Sequence, residues 1–210
     1  MPALVQAGVI YVDVDAIGIN NGTSWAEAYT DLQSALLAAT SGDEIWVAEG
    51  TYKPSEAHGG TDDRCKSFQM KNGVGIYGGF AGWETIRSQR DWENNLTNLS
   101  GDIGTLLNNS DNCYHVFYHP EGTNLDNTAI LDGFAIIDGN ADYPPLHEWG
   151  GGMYNNSASP IVTNCTFSRN SAISGGGMCN RNYASPRLTN CKFSKNSSGN
   201  GGGIANFVSS

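Results

Sequence analysis

Two spacings organise the hydrophobic positions along the first half of this chain. Val9-Ile-Tyr-Val-Asp13 and Glu44-Ile-Trp-Val-Ala-Glu49 are short runs rich in β-branched and aromatic residues and read as strands. Between them, after an Asn20-Asn-Gly turn, Ser24 and Glu27 form a capping box. Trp25, Ala28, Tyr29, Leu32, Leu36 and Ala39 then follow at helical spacing. The pattern predicts an amphipathic helix that stops before Gly42. Val74-Gly-Ile-Tyr-Gly-Gly-Phe80, Leu99 to Ile103 and Tyr114-His-Val-Phe-Tyr118 are further strand candidates, separated by insertions at 81–96, 104–112 and 119–128.

After residue 130 the pattern becomes a repeat. Gly150-Gly-Gly-Met-Tyr-Asn155, Gly175-Gly-Gly-Met-Cys-Asn180 and Gly201-Gly-Gly-Ile-Ala-Asn206 start 25 and 26 residues apart. Interleaved with them, Pro160-Ile-Val-Thr-Asn-Cys-Thr-Phe-Ser-Arg-Asn170 and Pro186-Arg-Leu-Thr-Asn-Cys-Lys-Phe-Ser-Lys-Asn196 match at an offset of 26. Leu131-Asp-Gly-Phe-Ala-Ile-Ile-Asp-Gly-Asn-Ala141 is a degenerate earlier copy, 31 residues before the next. Such units are too short for helix pairs, and their Gly and Asn content disfavours helix. From Ile161 to Phe167 the residues alternate as in a single strand, with Val162, Asn164 and Thr166 on one face. Stacked units with Gly and Asn corners give an all-β parallel β-helix of about 5–6 coils, with the N-terminal helix covering one open end. A β-sandwich of irregular strands is the alternative. The expected organisation is one domain over 1–210. It comprises a strand and capping helix (1–43), insertion-rich early coils (44–149) and regular repeats (150–210).

The GGGM-N, S-P and NCxF-xxN repeats resemble those of bacterial polymorphic-outer-membrane-type and related right-handed parallel β-helix surface proteins. The stretches YVDVDAIGINNGTSWAEAYTDLQSALLAATSGDEIWVAEGTYKP, GIYGGFAGWETIRSQRDW and LDGFAIIDGNA are similar to the amino-terminal part of such secreted proteins. The resemblance implies a pectin-lyase-like fold at the cell surface, often inside a longer polypeptide with a separate anchor. It implies no particular reaction, because β-helices host unrelated roles. Each earlier Gly triplet is followed by a Pro after 10 or 11 residues, so Gly201 calls for one near position 211. The expectation is a fragment of a longer array, or an open coil that stacks on a partner.

Composition sharpens this picture. The formal net charge is -10, but residues 1–149 hold every acid and a net -15, whereas 150–210 carry +5. The acidity argues against a nucleic-acid partner, and no apolar run is long enough for a transmembrane helix. The first nine residues lack the basic start of a complete signal peptide. Ala3-Leu-Val-Gln-Ala7 reads equally as the tail of a removed signal or as a mature start with an added Met. Five cysteines give no CxxC and no zinc spacing.

Candidate chemistry is sparse. Asp62, Asp63 and Arg64 form the one compact acid-base group and read as a solvated turn, and Asp132 and Asp138 read as turn or edge residues. His58, His115, His119 and His147 are too scattered for a metal set. No cofactor is expected; the acidic loops have a composition compatible with Ca²⁺, yet no D-x-D-x-D-G run occurs. Asn95 and Asn196 head glycosylation sequons that matter only in a glycosylating pathway. Cys165 and Cys191, Phe167 and Phe193, and Asn164 and Asn190 occupy equivalent repeat positions and read as structural ladders. For the cysteines a disulfide is permitted by distance, and a reduced core ladder is preferred. Arg169 and Lys195 should stack outward, one coil after Asp138. Ligand contact is assigned to Trp83, Trp92, Tyr143, His147 and Trp149, with Asp142 and Glu148 among them, as aromatic platforms suited to sugar faces. The leading expectation is a non-catalytic, extracellular, adhesin-like module that binds glycans or surface proteins. A polysaccharide lyase or glycosidase, and a protein that associates end to end, are the alternatives.

Overall fold

The computed structural model of the protein describes residues 8–207. The expectations for the Ala3–Ala7 segment and for any Pro beyond the last coil lie outside them. Eighteen short strands pair exclusively in parallel, so the chain winds as a β-helix. The first sheet has six rungs: β1 (Val9–Val12), β2 (Glu44–Ala48), β4 (Gly75–Phe80), β7 (Ile130–Asp132), β11 (Ile161–Thr163) and β15 (Arg187–Thr189). The second stacks β3 (Gly50–Tyr52), β5 (Thr97–Ser100), β8 (Ala135–Ile137), β12 (Thr166–Ser168) and β16 (Lys192–Ser194). A third holds β9 (Asn140–Ala141), β13 (Ser171–Ser174) and β17 (Ser197–Asn200). The fourth holds β6 (Phe117–His119), β10 (Met153–Asn156), β14 (Met178–Arg181) and β18 (Ile204–Phe207).

Register turns the sequence repeat into a core. Ile10, Ile45, Ile76, Leu131, Val162 and Leu188 face one another across six successive rungs. Tyr52, Leu99, Ile136, Phe167 and Phe193 form the matching column of the second sheet. Phe117, Met153, Met178 and Ile204 close the core from the fourth. Most of these side chains are fully buried, each contributing roughly 1.5–3 kcal/mol by removal from water.

Left-handed residues make the corners. Gly133, Asn164 and Asn190 are equivalent, with φ of 89°, 51° and 50°, and so are Asp138, Arg169 and Lys195 at 63°, 58° and 56°. Asn164 therefore breaks the single strand expected from Ile161 to Phe167. The chain bends at its αL backbone, the phase resets, and Val162, Cys165 and Phe167 all point inward.

The helix also differs from its expectation. α1 spans only Leu32–Ala38, capped by Asp31, whose carboxylate accepts from Ser34 N–H at 2.8 Å. The segment before it is claimed by β1: Tyr29 N–H donates to Tyr11, and Asp13 N–H donates to Tyr29, both at 2.9 Å. Ser24 and Glu27 make a tight turn instead of a helix start. Trp25 leaves the helix face and joins Tyr11, Trp46, Tyr77 and Phe80 in an aromatic cluster outside the first sheet.

Candidate functional site

A lateral groove of ≈ 360 Å³ crosses the coils on the side of the second sheet. Trp92, Glu93, Leu96, Thr97, Phe134, Asn164, Thr166, Asn190 and Lys192 contribute to its lining. Its aromatic wall depends on a bulge. The pairing of β2 with β4 shifts between Trp46 and Ala48, so Gly78 and Gly79 together oppose one residue. Gly79 sits at φ 91°, and a Cβ there would come within 2.6 Å of the Trp92 backbone. The glycine pair in Tyr77-Gly-Gly-Phe80 thus admits the 81–96 insertion against the sheet and places Trp92 at the groove. Arg90 secures it. Its guanidinium lies 4.9 Å from the Trp92 ring, bonds Asp132 at 2.6 Å, and donates to the Gly78 and Asp132 carbonyls at 3.0 Å. Asp132 in turn accepts from Asn164 at 2.8 Å, and Asn164 accepts from Asn190 at 2.7 Å. A cation, a carboxylate and two amides therefore run in series from coil to coil, and the two amides reach the groove lining.

Trp83 lies apart from this lining and is 64% exposed. The buried Glu84 carboxylate ties its loop together by accepting from the N–H groups of Ala81, Gly82 and Trp83. A second hollow of ≈ 430 Å³, between Arg87, Ser88, Arg90 and Trp92, flanks the groove.

Tyr143, His147 and Trp149 belong to a different side. Tyr143 and His147 close a tight antiparallel turn through reciprocal backbone bonds of 2.8 and 2.7 Å. Trp149 stacks near Tyr154 and lies beneath the Arg181 guanidinium at 3.9 Å. His147 is buried against Tyr114, the rings parallel with centroids 4.5 Å apart. It adjoins a ≈ 300 Å³ pocket with Gly59, Gly60, Thr61, Cys65, Tyr143 and Leu146. Its Nε2 stands 3.7 Å from Cys65 Sγ, and its Nδ1 stands 3.0 Å from His115 Nε2. The sequence expectation had treated these histidines as scattered, and Cys65 as unremarked. Residues 65, 115 and 147 share no spacing, and only the insertions bring them together. Burial lowers His115 to about 3, while burial also lowers His147 and raises the Cys65 thiol.

No family model matches this chain, and no curated protein matches it. Among solved structures, the chain is similar to pectate lyase Pel9A, at 17% identity over 93% of this chain and 52% of that one, with a TM-score of 0.44. The chain thus spans about half the length of that protein. The strand ladders above establish the parallel β-helix without it.

The remaining candidates have structural partners. Asp138 takes both Nε and Nη2 of Arg169 at 2.8 Å, across one coil, and Lys195 occupies the equivalent corner. Asp62 caps the Arg64 N–H, Asp63 pairs with Lys66 at 2.8 Å, and Arg64 pairs with Asp142 at 2.8 Å while covering the Tyr114 ring. His58 contacts Ser67, and His119 heads a buried amide ladder. Its Nδ1 meets Asn155 at 2.8 Å, Asn155 donates to Asn180 at 2.9 Å, and Asn180 donates to Asn206 at 2.8 Å. Asn95 and Asn196 both spend their amide N–H on backbone carbonyls, of Gly79 and Phe167. Phe167 and Phe193 stack at 4.8 Å, and Cys165 and Cys191 are free thiols bonded to nearby carbonyls, as are all five cysteines free.

The loop acids show where the negative charge goes. Asp91, Asp111 and Asp126 each accept from groups in their own loops, and these bonds hold their carboxyls below the usual range: from Asn94 for Asp91, Thr105 for Asp111 and Thr128 for Asp126. Among the described residues, no group of three or more His, Cys, Asp or Glu is placed to hold a metal ion.

Proposed function

We propose that this chain is a β-helix module of an extracellular or cell-surface protein, and that its groove along the second sheet binds an extended polysaccharide. The observation that carries the reading is the groove itself. The Trp92 ring forms one wall, above the buried Phe134, and faces the amides of Asn164 and Asn190 on successive coils with Thr166 and Lys192 beside them. A sugar ring offers an apolar face and a rim of hydroxyls, and such a surface meets both at a regular spacing of roughly 4.8 Å per coil.

Binding without catalysis is favoured by the state of the acids. Hydrolysis or elimination needs a carboxylate or base free to move a proton. Asp132 is committed to Arg90 and Asn164, and Asp138 to Arg169, which leaves Glu93 as the single carboxylate in the groove lining where glycoside hydrolysis uses a pair. No helix of the described residues is long and apolar enough to cross a membrane.

A glycan array probed with the wild-type chain, Trp92→Ala and Trp149→Ala tests the reading. Alanine at 92 keeps the Cβ that packs near Gly79 and Gly133, so the fold is retained. Signal on a polysaccharide class that falls at least tenfold in Trp92→Ala and persists in Trp149→Ala is expected. Binding lost only in Trp149→Ala would move the site to the other side, and no binding at all would refute the proposal.

A further inference from the structure

Cys65, His147 and His115 form a relay whose proton positions follow from its last member. His115 Nδ1 lies 3.0 Å from the Gly150 carbonyl, which only accepts. Neutral His115 therefore carries its proton on Nδ1 and presents a lone pair at Nε2. That lone pair faces His147 Nδ1 at 3.0 Å, so His147 carries its proton on Nδ1. Nε2 of His147 is then the base, 3.7 Å from the Cys65 thiol, and the Gly59 carbonyl beside the ring favours its protonated form once it takes the thiol proton. This is a nucleophile, a base and an orienting group in sequence, the arrangement that activates a weak nucleophile.

The parts are held in place, and Cys65, itself buried, forms part of a pocket wall. Tyr114 stacks on His147, and Tyr118 on His115 with centroids 4.9 Å apart. Cys65 ends a 3-10 turn whose N–H donates to Asp62 at 2.9 Å. The ≈ 300 Å³ pocket lies over it, floored by Tyr114 and rimmed by Tyr143 and Leu146. At Gly60 a Cβ would stand 2.6 Å from Sγ and 4.0 Å from His147 Nε2. The missing side chain keeps the approach to the thiol open.

We propose that Cys65 is a nucleophilic thiol with His147 as its general base and His115 as the positioning residue that fixes the base's tautomer, acting on small, apolar acyl esters. Sγ bonds the ester carbonyl carbon as the thiol proton passes to His147 Nε2. The ester C–O bond then breaks, and the leaving oxygen takes that proton. Water attacks the resulting thioester, giving one proton to Nε2 that returns to the departing sulfur, and the carboxylic acid is released. This activity is independent of the groove at Trp92, which lies on another side.

The pH dependence separates an assisted thiol from an ordinary one. The titratable and charged groups around the pair are Asp62 and Arg64 on the Cys65 turn, Tyr114 and His115 just before β6 and Tyr118 on it, Asp142 and Tyr143 beside His147, and Tyr154 on β10. Burial keeps His147 below the usual histidine value, so assisted reactivity should level off by about pH 7, whereas a free thiol gains reactivity up to about pH 8.5.

The test is cysteine-resolved labelling of the full chain with p-nitrophenyl acetate and iodoacetamide from pH 5 to 9, read by peptide mass spectrometry. Cys65 should label at least about tenfold faster than the half-buried Cys191 at pH 7, with a plateau above it. His147→Gln should slow Cys65 by about 100-fold, on the scale of general-base assistance. His115→Leu should slow it and shift the profile toward that of a free thiol. Buried Cys113 reports on folding in each variant, since its protection shows that the coil is intact. Gly60→Ala removes no polar group and should shield Cys65 several-fold, which keeps the test decisive if a histidine variant unfolds. A Cys65 rate no higher than that of Cys191, or one that climbs through pH 9, overturns the proposal. So does an unchanged rate in His147→Gln with Cys113 protected.

Discussion

Asn180 is buried between two equivalents of itself, donating to Asn206 and accepting from Asn155. Asn190 makes the same kind of bond to Asn164, but at an exposed corner. Chemistry is shared and burial is not, so their alanine variants should differ. Asn180→Ala leaves the buried Asn155 N–H donor without its acceptor, while Asn155 Oδ1 keeps His119, and should cost about 1–3 kcal/mol. Asn190→Ala should stay within about 0.5 kcal/mol. Urea unfolding midpoints compare them directly, and equal losses would contradict the assignment of the buried ladder. The two interior histidines supply a pH signature. Burial lowers His115 to about 3 and His119 to about 4. Both fold neutral, while the unfolded chain takes up protons below about pH 6.5. Their stabilisation is full above that pH and is lost as the pH falls toward the folded values, by roughly 1.4 kcal/mol per unit for each histidine. Stability measured at pH 7 and pH 5 should therefore drop, and less so in His119→Gln. A flat profile between those values would show that these rings are solvated.

The Gly triplet is the element that most clearly ties sequence to fold. Its first residue adopts φ of 67°, 67° and 66° in the three copies. In the first two copies the second and third have no space for a side chain: a Cβ on Gly176 would meet the Ser197 carbonyl oxygen at 2.4 Å, and one on Gly152 the Gly177 oxygen at 2.4 Å. Gly199, by contrast, would meet nothing nearer than 3.4 Å. Gly176→Ala should destabilise by about 1–3 kcal/mol through forced backbone shifts, and Gly199→Ala much less. Thermal melting of the two variants checks the contrast, which similar melting temperatures would refute. These corners recur in sequence, which is why the regular coils were legible there. Where one backbone angle decides, the pattern misled: Asn164 at φ 51° converts an apparent seven-residue strand into β11, a bend and β12. The helix began late because Tyr29 found strand partners, a tertiary effect that its spacing from Leu32 does not encode. Cys65, His115 and His147 were illegible as a group because insertions of unequal length set their meeting.

At the scale of the whole molecule, the -15 of the early coils is largely spent on capping loops, and the +5 of the later ones lies on outward corners and strands. The candidate binding residues divide into two sides of the rod, with Trp92 on one and Tyr143, His147 and Trp149 on the other. Among the described residues, β15 to β18 pair on one side only, and Leu188, Phe193 and Ile204 are half-buried there. The central claim, a polysaccharide lying along the second sheet across several coils, is tested most directly by calorimetric titration with oligosaccharides of increasing length from the class the array selects. Affinity should rise with length until the ligand spans the coils from Trp92 to Lys192, and should collapse at every length in Trp92→Ala. Affinity independent of length, or unchanged by that substitution, would contradict the account.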